Sequence, residues 1–296
     1  MKYFKPWKIL KGHSDIIHSV KFSSNSKKII SSSLDGTIRI WDITLGINIQ
    51  ILKGHLQWIN DAEFSLDETM IISCSNDKSI ILWDTKSGKK IKKFEGHTNS
   101  VTCSKFIYNG KNILSGSLDH TIKIWDIKSG KEIKTLQGHS GGINDIQFSS
   151  NEQYIVSSSN DNTIGIWNIK TSEKIHTLKG HSGYVTKSTF SNDDHLIISC
   201  SSDRTIRIWN VLTGKELQRF GDHTDVVNGA FFFPNRQTIV SCSLDKSIRL
   251  WDIQFGITTQ ILKGHSRGLT GLAISSNGNI IASSSNDGTI RLWRPL

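Results

Sequence analysis

Cysteine is scarce, and the usual sequence signatures of bound chemical groups are missing. The chain of 296 residues has four cysteines and no Cys-x-x-Cys pair, and no histidine stands near them at the spacing of metal ligands. Zinc sites and redox pairs depend on such spacings. The chain also lacks the Gly-x-x-x-x-Gly-Lys-[Ser/Thr] loop that binds phosphates. The sequence therefore predicts no metal and no cofactor.

Long apolar runs are absent too, and this bears on where the protein resides. No stretch approaches the ~18 consecutive apolar residues of a transmembrane helix. The first residues, MKYFKPWKILKG, contain neither the apolar core nor the small-residue cleavage site of a secretory signal. We therefore expect an intracellular protein, in the cytoplasm, the nucleus or both.

What the chain has instead is a repeat of 42 residues. A histidine, an aspartate and a tryptophan each recur seven times at this step. The histidines are His13, His55, His97, His139, His181, His223 and His265. The aspartates are Asp35, Asp77, Asp119, Asp161, Asp203, Asp245 and Asp287. The tryptophans are Trp41, Trp83, Trp125, Trp167, Trp209, Trp251 and Trp293. Seven such copies nearly fill the chain, so little remains for a further domain.

The segment 96–126 shows what one repeat contains. Three short runs, VTCSKF, ILSGS and TIKIW, are separated by turn residues, and two of them alternate in polarity. This pattern predicts antiparallel strands joined by tight hairpins. Three strands cannot bury their apolar face alone, so the copies must pack on one another.

These motifs give the chain a resemblance to a known family. Gly-His, then Ser-x-Ser-x-Asp, then Trp-Asp at this period resembles the WD-repeat family. The resemblance implies an all-β fold, a seven-bladed β-propeller of four-stranded antiparallel blades, as one domain over residues 1–296. The departures are small: Asp222 replaces the glycine before one histidine, and the aspartate after tryptophan is replaced at Asn168, Asn210 and Arg294.

Both ends of the chain are expected to share the last blade. An alternating apolar segment precedes each repeat histidine, and in a propeller of this family it is the outer strand of the preceding blade. The C-terminal sequence RLWRPL leaves no residues for the outer strand of the seventh blade. We therefore expect residues 1–11 to supply that strand, with residues 6–11 pairing with residues 289–293.

Each repeat also combines serine, histidine and aspartate, as hydrolases do. A catalytic triad needs one exposed nucleophile, one oriented base and an oxyanion hole, whereas here the trio occurs seven times in phase with tryptophan. We predict a structural network of the seven histidines, aspartates and tryptophans, in which the indole donates to a serine. The serine could be the one four residues before the aspartate or the one two residues before it, as with Ser31 and Ser33. The protein is predicted not to be an enzyme.

The resemblance further implies that partners dock on the face that carries the Gly-His loops and the aspartate hairpins, termed here the upper face. It maps this face onto the third and fifth residues after each histidine and the residue before each aspartate. The predicted partner-binding residues are Ile16, His18, Leu34, Trp58, Asn60, Asn76, Leu118, Tyr184, Val226 and Leu244. Aromatic residues among leucines are typical of binding hot spots. We therefore expect a non-enzymatic scaffold for a protein or peptide partner, a monomeric ring acting as subunit or adaptor of a larger complex.

The net charge of +10 suggests a second function. The seven outer-strand segments together carry more positive charge than the whole chain, which places the basic residues on the outer rim. Lysines there favour solubility and block strand-to-strand aggregation. The alternative is polyanion binding, to RNA or the acidic headgroups of phosphoinositide lipids, centred on Lys89, Lys90, Lys92 and Lys93 beside the N-terminal lysines Lys2, Lys5 and Lys8.

Overall fold

Seven four-stranded antiparallel sheets surround a central channel in the computed structural model, which describes residues 2–107 and 110–296. In each of the first six sheets, or blades, consecutive strands follow one another from the channel outwards. Blade 1 consists of β2 Ile17–Phe22, β3 Lys28–Ser33, β4 Thr37–Asp42 and β5 Ile47–Lys53. Blade 2 consists of β6 Ile59–Phe64, β7 Met70–Ser75, β8 Ser79–Asp84 and β9 Lys90–Glu95. Blade 3 consists of β10 Val101–Phe106, β11 Asn112–Ser117, β12 Ile122–Asp126 and β13 Glu132–Leu136. Blade 4 consists of β14 Ile143–Phe148, β15 Tyr154–Ser159, β16 Thr163–Asn168 and β17 Lys174–Lys179. Blade 5 consists of β18 Val185–Phe190, β19 Leu196–Ser201, β20 Ile206–Asn210 and β21 Glu216–Phe220. Blade 6 consists of β22 Val227–Phe232, β23 Thr238–Ser243, β24 Ser247–Asp252 and β25 Ile257–Lys263. Blade 7 consists of β26 Leu269–Ile274, β27 Ile281–Ser285, β28 Thr289–Pro295 and the N-terminal strand β1 Phe4–Lys11.

Closure of the ring by the N-terminal strand, predicted from the sequence, is confirmed. β1 pairs with β28 in antiparallel register, starting with Phe4 opposite Pro295. The pairing begins two residues before the predicted Pro6 and contains a bulge just after that proline. Gln260 links β1 to blade 6, because its side-chain amide accepts from the Phe4 N–H at 2.9 Å and donates to the Phe4 carbonyl at 2.7 Å.

The apolar core lies between neighbouring blades. One buried cluster joins Ile38 and Leu52 of blade 1 to Trp83 of blade 2. The cluster at the closure joins Leu10 of β1 to Ile17 of blade 1 in the same way. Each blade therefore depends on its neighbours for burial, as expected for sheets too small to be stable alone.

The turn between the second and third strands of each blade places one residue in the left-handed region. This residue directly follows the repeat aspartate, and its φ is between 67° and 74° in all seven blades. Glycine, which adopts this conformation without strain, occupies it only in blades 1 and 7. The aspartate holds the turn: Oδ1 of Asp77, for example, accepts from the backbone N–H of Ser79 at 3.0 Å. This arrangement directs the other carboxylate oxygen towards the repeat histidine.

Candidate functional site

In blade 1, four side chains form a hydrogen-bonded chain from the core to the upper face. Nε1 of Trp41 donates to Oγ of Ser31 at 2.9 Å, Ser31 is 2.8 Å from Nε2 of His13, and Nδ1 of His13 is 2.7 Å from Asp35. With a neutral histidine protonated on Nδ1, every donor in this chain meets an acceptor. Ser33 instead accepts from the backbone N–H of Asp35 at 3.1 Å. The serine four residues before the aspartate therefore joins the chain, and the serine two residues before it supports the turn.

The same hydrogen bonds from tryptophan through serine and histidine to aspartate recur in every blade. The histidine–aspartate distances are 2.7 to 2.9 Å, the serine–histidine distances 2.7 to 2.9 Å and the tryptophan–serine distances 2.7 to 3.0 Å. Burial lowers the pKa of His13, His97, His139, His181 and His265 more than the aspartates raise it. Burial acts to raise the pKa of each aspartate, but hydrogen bonds outweigh it, and the pKa of Asp161 is lowered to about 2. All seven serines are fully buried, so none presents an accessible nucleophile.

A second set of hydrogen bonds joins the blades around the channel. In each inner strand a bulge makes the fifth residue after the repeat histidine the extra residue. At six of the seven junctions its side chain donates to a backbone carbonyl at the start of the next inner strand, at 2.5 to 2.8 Å. The donors are Asn60, Thr102, Asn144, Thr186, Asn228 and Thr270. These side chains therefore connect neighbouring blades, a role that the sequence analysis did not foresee.

His18 occupies the seventh of these positions, between blades 1 and 2. No hydrogen bond joins its ring to blade 2, all of which lies within the described residues, and burial lowers its pKa although Asp15 acts to raise it. Asn60 and Asn76, both predicted to bind a partner, are brought together instead. The Asn60 amide donates to Oδ1 of Asn76 at 2.8 Å and to the carbonyl of Val101 at 2.8 Å. Partner binding by these two residues stays a prediction.

Three of the predicted residues meet at the junction of blades 1 and 2. Leu34, Trp58 and Asn76 line one cavity of about 680 Å³ on the upper face, and Trp58 is 52% exposed. Leu56, which the sequence analysis did not select, lines the same cavity and is 83% exposed. Its position directly after the repeat histidine holds serine or threonine in the other six repeats. A comparison of the repeats at that position would have found it.

Other predicted residues are engaged in packing between blades. Leu118 and Leu244 lie over Gly142 and Gly268 of the next blade, where a Cβ atom would come within 2.7 Å of either leucine Cδ2. Both leucines are half-buried. Two further predicted residues are also half-buried: Ile16 and Val226. The most exposed apolar part of the predicted surface therefore lies around Trp58.

Comparison with known families agrees with this geometry. The family described as WD domain, G-beta repeat matches the chain seven times, over residues 4–42, 46–84, 88–126, 130–168, 172–210, 214–252 and 256–294. The chain belongs to the WD-repeat family. WD-repeat propellers commonly act as protein-interaction scaffolds and are generally not catalysts. Each matched segment starts near or within the outer strand of one blade and ends in the third strand of the next, which fits closure by β1.

Two further observations concern membrane-spanning helices and metal sites. Within residues 2–107 and 110–296, no helix is long and apolar enough to cross a membrane. In the same residues, no three histidine, cysteine, aspartate or glutamate side chains cluster as a metal site would require. All four cysteine thiols are buried and unpaired by disulfides: Cys74, Cys103, Cys200 and Cys242.

The central channel of the WD-repeat ring, about 730 Å³ in volume, has one charged wall. Lys21 of blade 1 contacts Asp61 at 2.6 Å and Glu63 at 3.0 Å, both in blade 2. Lys105 of blade 3 contacts Glu63 from the other side, also at 3.0 Å. Burial acts to raise the pKa of Glu63, but the two lysines outweigh it and lower the pKa. These ion pairs link three consecutive blades from inside the channel.

The charged lining continues into blades 4 and 5, where it is less densely paired. Asp145 lies 3.8 Å from Lys187 of blade 5, and burial raises the pKa of this carboxyl group. The Lys187 ammonium lies over the ring of Phe231, 5.2 Å from its centroid. Tyr184, 43% exposed, lines the channel together with these residues. The channel is therefore lined by both charged and aromatic side chains.

Many lysines on the outer rim of the WD-repeat ring have partners within the protein. Nζ of Lys92 donates to the carbonyl of Ile127 in blade 3 at 3.0 Å, and Lys90 donates to the carbonyl of Gly54 at 2.6 Å. Lys93 pairs with Glu95 at 2.5 Å. Three of the four lysines on which the polyanion alternative centred are thus engaged, and the outer strand of blade 1 separates this group from the N-terminal lysines. No single basic patch unites the two groups.

Proposed function

We propose that this WD-repeat ring is a non-catalytic scaffold that binds a protein or peptide on its upper face, as one copy within a larger complex. The observation that carries the proposal is the cavity at the junction of blades 1 and 2, where three apolar side chains stand among polar ones. Trp58 and Leu56 stand exposed beside Leu34 around it. Exposed aromatic and aliphatic side chains around a concavity are typical of interaction hot spots.

The rigidity of the surrounding ring supports this assignment. Leu56 follows a histidine held by Asp77 at 2.9 Å, and its own backbone N–H donates to the same carboxylate at 3.0 Å. The loop that carries Trp58 is therefore fixed before a partner arrives. A preorganised surface loses little conformational entropy on binding. Tyr184 at the channel mouth offers a second aromatic contact on the same face.

The test is a quantitative comparison of partners recovered from the source cell. A tagged ring carrying Trp58→Ala and Leu34→Ala is compared with the intact ring by affinity purification and mass spectrometry. Loss of a hot-spot aromatic is expected to reduce recovery of the direct partner at least about tenfold. Leu212→Ala, which removes an exposed leucine from an outer turn away from the upper face, is the control. Equal recovery by both variants, with melting curves like that of the intact ring, would refute binding on the upper face.

A further inference from the structure

The outer strand of blade 1 differs from the other outer strands in its outward face. The outward positions lie eight, six and four residues before each repeat histidine. In blade 1 they are Ile47, Ile49 and Ile51, and all three are exposed. Leu45, in the turn just before the strand, extends this apolar stripe. Contiguous exposed apolar surface of this kind marks an interaction site more often than scattered single residues do.

The other six blades provide an internal comparison at the same three positions. Blades 2 to 5 carry one apolar residue each, flanked by lysine, threonine, glutamate or arginine: Ile91, Ile133, Ile175 and Leu217. Blade 6 interrupts its stripe with Thr259, and blade 7 begins its stripe with Lys5. Packing within the ring does not require the stripe, because six blades are built without it.

The strand is also the free edge of its sheet. β5 is the last strand in the order β2-β3-β4-β5, so only one of its two edges pairs within the sheet. Its inward face is occupied: Leu52 is buried, and Gln50 and Leu52 both approach Gly88 of blade 2. Edge strands are usually protected by charged side chains, yet Lys53 is the only charged residue between positions 43 and 53. The edge is therefore open to pairing with another strand.

Basic residues stand on both sides of this uncharged strand. Residues 1–11 of blade 7 contain four lysines and no acidic residue, and residues 85–95 of blade 2 contain five lysines and one glutamate. Lys5 and Lys11 on one side and Lys86 and Lys89 on the other are exposed. A partner that covers the stripe thus has positive charge on either side of it, on the neighbouring outer strands. Charge complementarity favours a partner with acidic residues there and disfavours a second copy of this chain, whose net charge is +10.

We propose that the outer edge of blade 1 binds an extended segment of a partner protein in which apolar residues alternate with acidic residues. The segment adds to the sheet beside β5, and its backbone pairs with the free edge. Its apolar side chains lie about 4.5–5.5 Å from those of Ile47, Ile49 and Ile51, the usual spacing of cross-strand pairs. Its acidic residues lie between the apolar ones and face the lysines of the neighbouring outer strands. This surface lies on the circumference of the ring and is separate from the upper-face site.

The test uses labelled synthetic peptides and the intact ring, with binding followed by fluorescence anisotropy. The probe peptide alternates valine and glutamate. It is expected to bind saturably, to bind more weakly as salt rises, and to lose about tenfold in affinity when its glutamates are changed to lysine. A peptide with proline at its centre, which cannot donate a hydrogen bond there, should bind weakly as well.

Matched variants identify the surface. Ile49→Lys should abolish binding of the probe, whereas Ile133→Lys, at the same position of blade 3, should leave it unchanged. Trp58→Ala should also leave it unchanged, so the two surfaces are tested independently. The proposal is overturned if Ile49→Lys binds like the intact ring, if the lysine-substituted peptide binds equally well, or if the probe does not bind. Reversible dimerisation of the intact ring that Ile49→Lys abolishes would assign the edge to a second copy instead.

Discussion

Replacement of Leu10 by alanine should destabilise the ring, while the same replacement at its neighbour Ile9 should cost little. Leu10 is 1% exposed and belongs to the cluster that joins blade 7 to blade 1, whereas Ile9 is 45% exposed on the same strand. Removing a buried leucine side chain typically costs about 2–5 kcal/mol. An exposed strand residue contributes about 1 kcal/mol or less. A typical folded domain has about 5–15 kcal/mol of net stability, so the first loss is large and the second is small.

The assay is urea unfolding followed by tryptophan fluorescence, because every blade contains a buried tryptophan. Phe4→Ala provides a second point on the same strand, since Phe4 packs edge-on against Phe233 with ring centroids 5.8 Å apart. Its loss should cost about 3–5 kcal/mol. Deletion of residues 1–11 should exceed both single substitutions. If the Leu10 and Ile9 variants unfold at the same urea concentration, or the deletion melts like the intact chain, β1 does not hold the ring closed.

Three further predictions concern the networks inside the ring. His18→Asn should supply the missing hydrogen bond between blades 1 and 2 and raise the free energy of unfolding by about 0.5–1.5 kcal/mol, while Asn144→Ala should lower it. If urea unfolding does not show these two opposite changes, the side chains at this position do not stabilise the ring by hydrogen bonds between blades. The native state should hold fewer protons than the unfolded state in acid, because the pKa of most network histidines and of all network aspartates is lowered. Stability should therefore be greatest above pH ~6.5 and fall as the pH drops first below that value and then through ~4; melting temperatures that stay constant from neutral pH to ~4 would contradict this. Burial raises the pKa of Cys103 and Cys200 to about 12, so Ellman's reagent should label no thiol in the native ring and all four in urea, and rapid native labelling would show that the blades open.

The architecture followed from the sequence because its cause is periodic. Spacing of the repeats, alternation within strands and the missing outer strand of the last blade are all visible in the residues, and the structure confirms the closure they predicted. The direction of a particular side chain is not visible in the same way. The bulge in each inner strand adds a residue that a strict two-residue alternation does not contain. Asn60 was therefore expected at an open surface, although it donates to Val101 of the next blade.

The charge on the outer rim shows a similar limit. A sum over the sequence counts every lysine equally, but the energetic role of each depends on what its ammonium group touches. Lys92 reaches a carbonyl of the next blade, 35 residues away, a contact that no local pattern specifies, whereas Lys93 pairs with Glu95 of its own strand. The exposed Leu56 was overlooked for a different reason. The family resemblance implies partner contacts at three positions of each repeat, and Leu56 lies at none of them.

The shared construction of blade 7 has a consequence for the order of folding. β1 precedes the strands of the other six blades in the sequence and its partner β28 follows them, so their pairing closes a loop that contains all six of those blades. The entropic cost of loop closure grows with loop length, and contacts distant in sequence form slowly. We expect the six other blades to assemble first, while the apolar side chains of β1 remain exposed to solvent. The protein should therefore be most prone to aggregation while β1 and β28 are still unpaired.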